Sequence, residues 1–284
     1  MRQHSRAPHA ASLLLSLACV ALLHACQRAP IPAAPAAARE RSGPQLTAAD
    51  RGDGSDSVPG ADGFGRAAGI RYLELIRGAA DASQPLPMVV MIHGLGDRPR
   101  RELFDVVAVQ VPARIILPQA PTAIGDGYSW FDYHVGENDP RLLAQGIAAA
   151  EARLALALSA LRKLRPTVGR PVVAGFSQGG MLSFALALRH PQLVAFAQPI
   201  SGTLPEPLWP QTPVPAGAFP PIRALHGTAD HVVPIDTTRR LVAHLRVLGY
   251  DASLIEFAGV DHAITEEMQA SVHATLSEAV AAQR

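Results

Sequence analysis

Gly175-Phe176-Ser177-Gln178-Gly179 has the residue types and spacing of a nucleophile held at a tight turn. A short apolar run, Val172 to Ala174, precedes it, and apolar residues at helical spacing follow it as far as Arg189. Strand, turn and helix in that order would hold the serine at a strained corner, with glycines where a Cβ would collide with the crossing strand or helix. Chance supplies roughly 0.1 Gly-x-Ser-x-Gly matches in a chain of this composition, so the pentapeptide needs support from elsewhere. A serine hydroxyl is barely nucleophilic at neutral pH; it requires a base within hydrogen-bond reach and a carboxylate to orient that base.

When a serine sits on such an elbow, the acid and then the base follow it along the chain, on loops after the late strands. Two segments fit: His226-Gly-Thr-Ala-Asp-His-Val-Val-Pro234 after the apolar run Ile222 to Leu225, and Ala258-Gly-Val-Asp-His-Ala-Ile264 after Ser253 to Phe257. Asp230 is the expected acid, because it falls in the turn while Asp236 is placed to cap the next helix. His262 is the expected base. Among the competitors, His226 lies at the strand edge with a structural role, His231 directly follows the acid with its side chain directed away, and Asp261 is placed to cap or orient the loop. The tetrahedral oxyanion needs N–H donors, of which the elbow offers the amide of Gln178. A second is expected from the glycine-rich loop His93-Gly-Leu-Gly-Asp97, which follows the apolar run Pro87 to Ile92.

The elements that must position these groups alternate. Strands are predicted at Ile70 to Ile76, Pro87 to Ile92, Arg114 to Leu117, Val172 to Ala174, Leu193 to Ala197, Ile222 to Leu225 and Ser253 to Phe257. Helices are predicted from Arg141 to Leu164, after Ser177, from Thr237 to Leu248 and from Glu266 to Ala282. Strands alternating with helices predict an α/β fold with a mostly parallel, doubly wound sheet flanked by helices. The chain has 284 residues and 48% hydrophobic content, enough for the core of one large domain. A net charge of +1 gives no basic stripe for nucleic acid. His226, Asp230 and His231 have metal-ligand types but lack a third histidine at ligand spacing, so no metal is expected.

Two arginines in the first six residues and the apolar run Ala10 to Leu23 read as a secretory signal. It ends in Leu23-His24-Ala25-Cys26, which resembles the bacterial lipoprotein box, with residues 1–25 removed and Cys26 lipidated. Gln27 is not the aspartate that this resemblance associates with inner-membrane retention, so an outer-membrane protein facing the periplasm is expected. Cys19 and Cys26 are the only cysteines, leaving the mature chain without a disulfide. Residues 26–65, rich in Ala, Pro and Gly, read as a disordered tether, and residues 66–284 as the folded domain.

His93-Gly-Leu-Gly-Asp97, Ser129-Trp-Phe-Asp132, Gly175-Phe-Ser-Gln-Gly-Gly180, His226-Gly-Thr-Ala-Asp230 and Gly259-Val-Asp-His262 resemble the signature blocks of the carboxylesterase/phospholipase family that includes the acyl-protein thioesterases. The resemblance spans residues 70 to 284. It implies an α/β-hydrolase using Ser177, Asp230 and His262, the N–H groups of Leu95 and Gln178 as oxyanion hole, no cofactor, and a small ester or acyl substrate. The run Arg98-Pro-Arg-Arg101 departs from the small residues usual there, and the Pro-rich stretch from Leu204 to Pro221 is individual. Trp130, Phe131, Leu204 and Trp209 are candidates for an apolar acyl pocket or lid; the alternative is that they pack loops onto the domain. Other readings are a peptidase or dienelactone-type hydrolase, or a binding lipoprotein that keeps the fold without turnover.

Overall fold

The computed structural model describes residues 55–102, 111–132 and 139–283. One eight-stranded sheet runs through it, built from β1 (Phe64–Ala67), β2 (Ile70–Arg77), β3 (Leu86–Ile92), β4 (Ala113–Pro118), β7 (Thr167–Phe176), β8 (Phe196–Ile200), β9 (Ile222–Gly227) and β10 (Ala252–Phe257). Their spatial order is β1-β2-β4-β3-β7-β8-β9-β10. The β1/β2 and β2/β4 pairs are antiparallel, and every pair from β4 to β10 is parallel. A separate hairpin joins β5 (Thr122–Ile124) to β6 (Gly127–Ser129). This is the expected mostly parallel α/β architecture.

Alternation along the strands fills two cores. Met88, Val90 and Ile92 of β3 face a layer containing α1 (Pro140–Leu164), α2 (Gln178–Arg189) and α3 (Ile235–Val247), while Val89 and Met91 face α4 (Glu266–Ala281). Burial on both faces explains why the central strands read as continuous apolar runs. Helix α1 begins where Asp139 accepts a hydrogen bond from the Arg141 amide at 2.8 Å and Pro140 takes the first helical position. It buries Ile147, Leu154, Leu158 and Leu161 at helical spacing. In α4, Thr265 Oγ1 accepts from the Met268 amide at 3.2 Å.

Two expectations shift. The tether was expected to reach residue 65, but Ser57 exchanges two backbone hydrogen bonds with Arg66, its carbonyl also accepts from the Tyr72 hydroxyl, and β1 starts at Phe64. The domain therefore takes in residues before the expected boundary. The fifth predicted strand sits three residues later than Leu193 to Ala197, because Gln198, Pro199 and Ile200 continue it in the buried sheet. The expected signal, Cys26 and the tether up to residue 54 lie outside the described residues.

At the N-terminal ends of the parallel strands, Glu74 joins two arginines. Its carboxylate accepts from Arg114 Nη1 at 2.8 Å and from Arg165 Nε at 2.9 Å, with the Arg114 side chain wholly buried. Removing one partner of such a cluster leaves an uncompensated buried charge, which costs about 3–5 kcal/mol. Glu74→Leu is accordingly expected to lower Tm by on the order of 10 °C in a thermal melt; a Tm within about 2 °C of wild type would show that the cluster contributes little.

Candidate active site

Strand β7 lies between β3 and β8 and ends at Phe176. The next residue, Ser177, has φ 56° and ψ −115°, a conformation that a residue with a Cβ rarely adopts. Such a residue costs on the order of 1–3 kcal/mol and persists only where its surroundings enforce it. Here the Ser177 amide donates to Ile200 O of β8 at 3.0 Å, and α2 starts at once with Gln178. The sharp corner also needs the close approach of β3, β7 and α2. A Cβ on Gly179 would stand 2.0 Å from Ile92 O, and one on Gly175 would stand 2.5 Å from Gly179 O. Neither position tolerates a side chain.

The loops after β9 and β10 deliver the expected acid and base. His262 Nε2 lies 3.0 Å from Ser177 Oγ, and its Nδ1 lies 2.8 Å from Asp230 Oδ2. An ionised Asp230 only accepts, so Nδ1 carries the proton and Nε2 is left to accept from the serine hydroxyl. Burial by itself would raise the Asp230 pKa. Hydrogen bonds from His226, His262 and the Val233 amide outweigh it and hold the carboxyl well below the usual carboxylate range. Oδ1 accepts from the amides of Val232 and Val233 at 3.0 and 2.8 Å, and His226 Nε2 approaches Oδ2 to 3.2 Å. The Phe176 ring packs against the His262 ring with centroids 4.7 Å apart.

The competing residues take other places. Asp261 accepts from the amides of His231 and His262 at 3.1 and 2.7 Å and so ties the two loops together. His231 is exposed. His226 is fully buried; besides approaching Asp230, its Nε2 lies 2.8 Å from Val233 O, so its structural role acts on the acid itself. Asp236 stands in the first turn of α3, where it pairs with Arg239, and Pro234 occupies the cap.

The His93–Asp97 loop leaves the end of β3 and abuts the elbow: a Cβ on Gly94 would lie 3.4 Å from Ser177 Cβ. His93 is buried; desolvation lowers its pKa and keeps the ring neutral. Its Nδ1 lies 2.7 Å from Gly94 O, and its Nε2 accepts from the Ala120 amide at 3.2 Å. Leu95 is exposed beside the site, and Gln178 is the first residue of α2, where amides have no intrahelical partner.

Three of the four aromatic and apolar pocket candidates are buried, and Trp130 also borders a cavity of about 190 Å³ with Ala68, Ile70, Pro121, Ala150 and Arg153, a lining that does not include Ser177 or His262. Trp130, Phe131 and Leu204 are buried in the core cluster that includes α1 and α2, leaving almost no surface to meet a ligand. Trp130 Nε1 donates to His93 O at 3.0 Å. Trp209 is half-buried, donates from Nε1 to Leu204 O at 2.8 Å and stacks on His244. The sequence does not announce the Gln178 side chain or the β5–β6 hairpin, which bond to the Ser129–Phe131 segment and to the His93–Asp97 loop. The available signal was the resemblance block at Ser129 to Asp132, whose partners the spacing does not name. Among the described residues, no three His, Cys, Asp or Glu side chains converge as a metal site.

A family model described as Phospholipase/Carboxylesterase matches residues 76–279. A protein of Oryza sativa subsp. japonica named probable inactive carboxylesterase is 29% identical over 198 residues, covering 62% of this chain and 78% of that protein. An acyl-protein thioesterase 1 of Gibberella zeae is 27% identical over 213 residues, 66% of this chain and 88% of the relative. Among solved structures, esterase PE8 superposes with a TM-score of 0.58 and 25% identity, over 72% of this chain and 98% of that one.

The hydrogen bonds to Asp230 carry a pH signature. Because its folded pKa is depressed below the ordinary 3.8, the ionised group contributes stability that is complete above that value and is lost as pH falls through the lower folded one. The difference in unfolding free energy between wild type and Asp230→Asn is therefore expected to be larger at about pH 7 than at about pH 3. Urea unfolding at both values checks this; an unchanged difference would count against an ionised, hydrogen-bonded carboxylate.

Proposed function

The chain belongs to the phospholipase/carboxylesterase family, and from that premise we propose a serine carboxylic-ester hydrolase that works through an acyl-enzyme on Ser177. The single observation that carries this reading is the continuous chain of hydrogen bonds from Ser177 Oγ through His262 to Asp230 Oδ2. His262 Nε2 takes the hydroxyl proton as Oγ adds to the carbonyl carbon of an ester or thioester. The amides of Leu95 and Gln178 stabilise the oxyanion, and Asp230 stabilises the imidazolium. Collapse of the intermediate breaks the bond to the alcohol or thiol, which leaves with the proton from His262. Water, deprotonated by the same imidazole, then releases the acid and restores the serine hydroxyl.

A relative named inactive raises the rival reading, a binding protein that keeps the fold without turnover. The intact Ser177, His262 and Asp230 geometry favours turnover. For its location, Leu23-His24-Ala25-Cys26 supports export and lipidation at Cys26, with the domain held at the envelope by residues 26 onward.

A fluorophosphonate probe is expected to label the wild type and not Ser177→Ala, whose kcat/KM on a p-nitrophenyl ester falls by at least about 10⁴-fold. Equal labelling of the two, or none of the wild type, sinks the esterase reading; a short- to long-chain ester series then defines acyl preference. Separately, Cys26→Ser is expected to move the expressed protein from the membrane to the soluble fraction. Unchanged partitioning would refute the lipid tether.

A further inference from the structure

We infer that the Gln178 carboxamide and the segment Tyr128 to Phe131 are positioning groups that hold the two oxyanion amides in register. The inference rests on the esterase reading above and concerns side chains that it leaves without a role. Gln178 is only 2% exposed, so its side chain points into protein, away from any substrate. Its Oε1 accepts from the Trp130 amide at 3.0 Å, and its Nε2 donates to Phe131 O at 3.0 Å. The carboxamide thus closes two bonds on successive backbone groups, as a neighbouring strand would. Ser129 Oγ donates to the same Phe131 carbonyl at 2.8 Å and fixes the local turn.

The other side of this segment grips the loop that carries Leu95. Gly96 N–H donates to Tyr128 O and Tyr128 N–H donates to Asp97 O, both at 2.9 Å, while Trp130 Nε1 donates to His93 O. Bonds therefore fall on both sides of Leu95, at positions 93, 96 and 97. One short strap is thereby bonded to Gln178, which supplies one proposed oxyanion donor, and to residues on both sides of Leu95, which supplies the other. The strap adds to the restraints already there, the Ser177 amide bonded to Ile200 O at the helix start and the Asp97 amide facing Gly94 O at 3.4 Å across Leu95, in an exposed loop whose Gly96 has φ 75°. A donor contributes most when it is already aimed at the charge that develops in the transition state. Loosening the strap should weaken transition-state binding and spare the ground state.

Gln178→Met keeps the length and volume of the side chain and removes its hydrogen bonds to Trp130 and Phe131 together with the longer contacts to Ser129 Oγ. The expected result is a fall in kcat/KM on a p-nitrophenyl ester of about 10- to 100-fold. The Ki of a trifluoromethyl ketone, which forms a tetrahedral oxyanion adduct, should rise in proportion. Affinity for the matching non-hydrolysable ether should change less than about threefold, since uniform binding is untouched. A purely structural role would lower Tm and leave the ratio of the two affinities unchanged. Trp130→Phe removes the bond to His93 O and part of the indole's core packing while leaving the Gln178 bonds to the backbone in place; it should show the same signature at smaller size, which keeps the test open if Gln178→Met does not fold. Combined, the two changes should be less than additive. Wild-type kcat/KM in both variants, or equal losses for ketone and ether, overturns the inference while leaving the esterase reading in place. Absence of wild-type turnover removes that reading, and this one with it.

Discussion

The site depends on one close approach, that of the α2 N-terminus to the end of β3. The Ile92 carbonyl occupies the space where a Cβ on residue 179 would be, at 2.0 Å. With glycine there, the helix start drops onto β3, the chain must reverse within Ser177, and the serine takes its strained φ of 56°. The same approach sets the His93–Asp97 loop beside Ser177, because that loop is simply β3 continued. The Ser177 corner and the loop beside it are thus products of one contact. Strain at Ser177 on the order of 1–3 kcal/mol is held by groups that cannot relax independently: the Ile200 carbonyl, β3 and the helix itself.

Asp230 and His262 are held by a different device, two loops that share hydrogen-bond acceptors. Asp230 is buried, and a bare buried carboxylate would take up a proton. Four donors prevent this: two backbone amides on Oδ1, and His226 and His262 on Oδ2. Two of them lie in its own turn, so the carboxylate is oriented before His262 arrives. His262 then gains its tautomer from Asp230, its tilt from Phe176 and its backbone position from Asp261. Each restraint comes from a loop at the C-terminal end of a parallel strand, where open α/β sheets place their ligands.

The legible parts of the sequence were those in which one physical requirement dominates. Strands buried on both faces read as apolar runs, which places β3, β4 and β9 within two residues, and the edge strand β10 is placed as closely by the turn residues on either side of it. The elbow must have glycine, and the acid and base must follow it in order. The shift of β8 has a specific origin: Gln198 and Pro199 are residues that central strands avoid, yet both are buried within it. Propensity there is overridden by the sheet on either side. The β5–β6 hairpin was invisible because β5 is three residues long and exposed, with no alternation to read. Trp130 and Phe131 stand open in the sequence between pocket wall and core anchor. A large aromatic near a catalytic motif suggests a pocket, but hydrophobicity alone does not distinguish the wall of a cleft from a loop's anchor in the core. What settles it is the polar edge: Trp130 donates to His93 O, a contact set by three-dimensional proximity across 37 positions of chain.

Stability and chemistry are placed at opposite ends of the same strands. Glu74, Arg114 and Arg165 cluster where β4 and β7 begin, whereas Ser177 follows the end of β7, ten residues further on. At about 3.3 Å per residue that is roughly 30 Å, beyond the range at which substitutions usually couple. The division has a physical reason. Turns at the N-terminal ends can be closed by a buried ion cluster because nothing need enter there. The C-terminal ends must leave Ser177 and His262 partly exposed, so their order comes from backbone-directed hydrogen bonds beneath the reacting atoms. The Gln178 carboxamide and the Trp130 indole are of this kind: buried, neutral, and directed at main-chain groups.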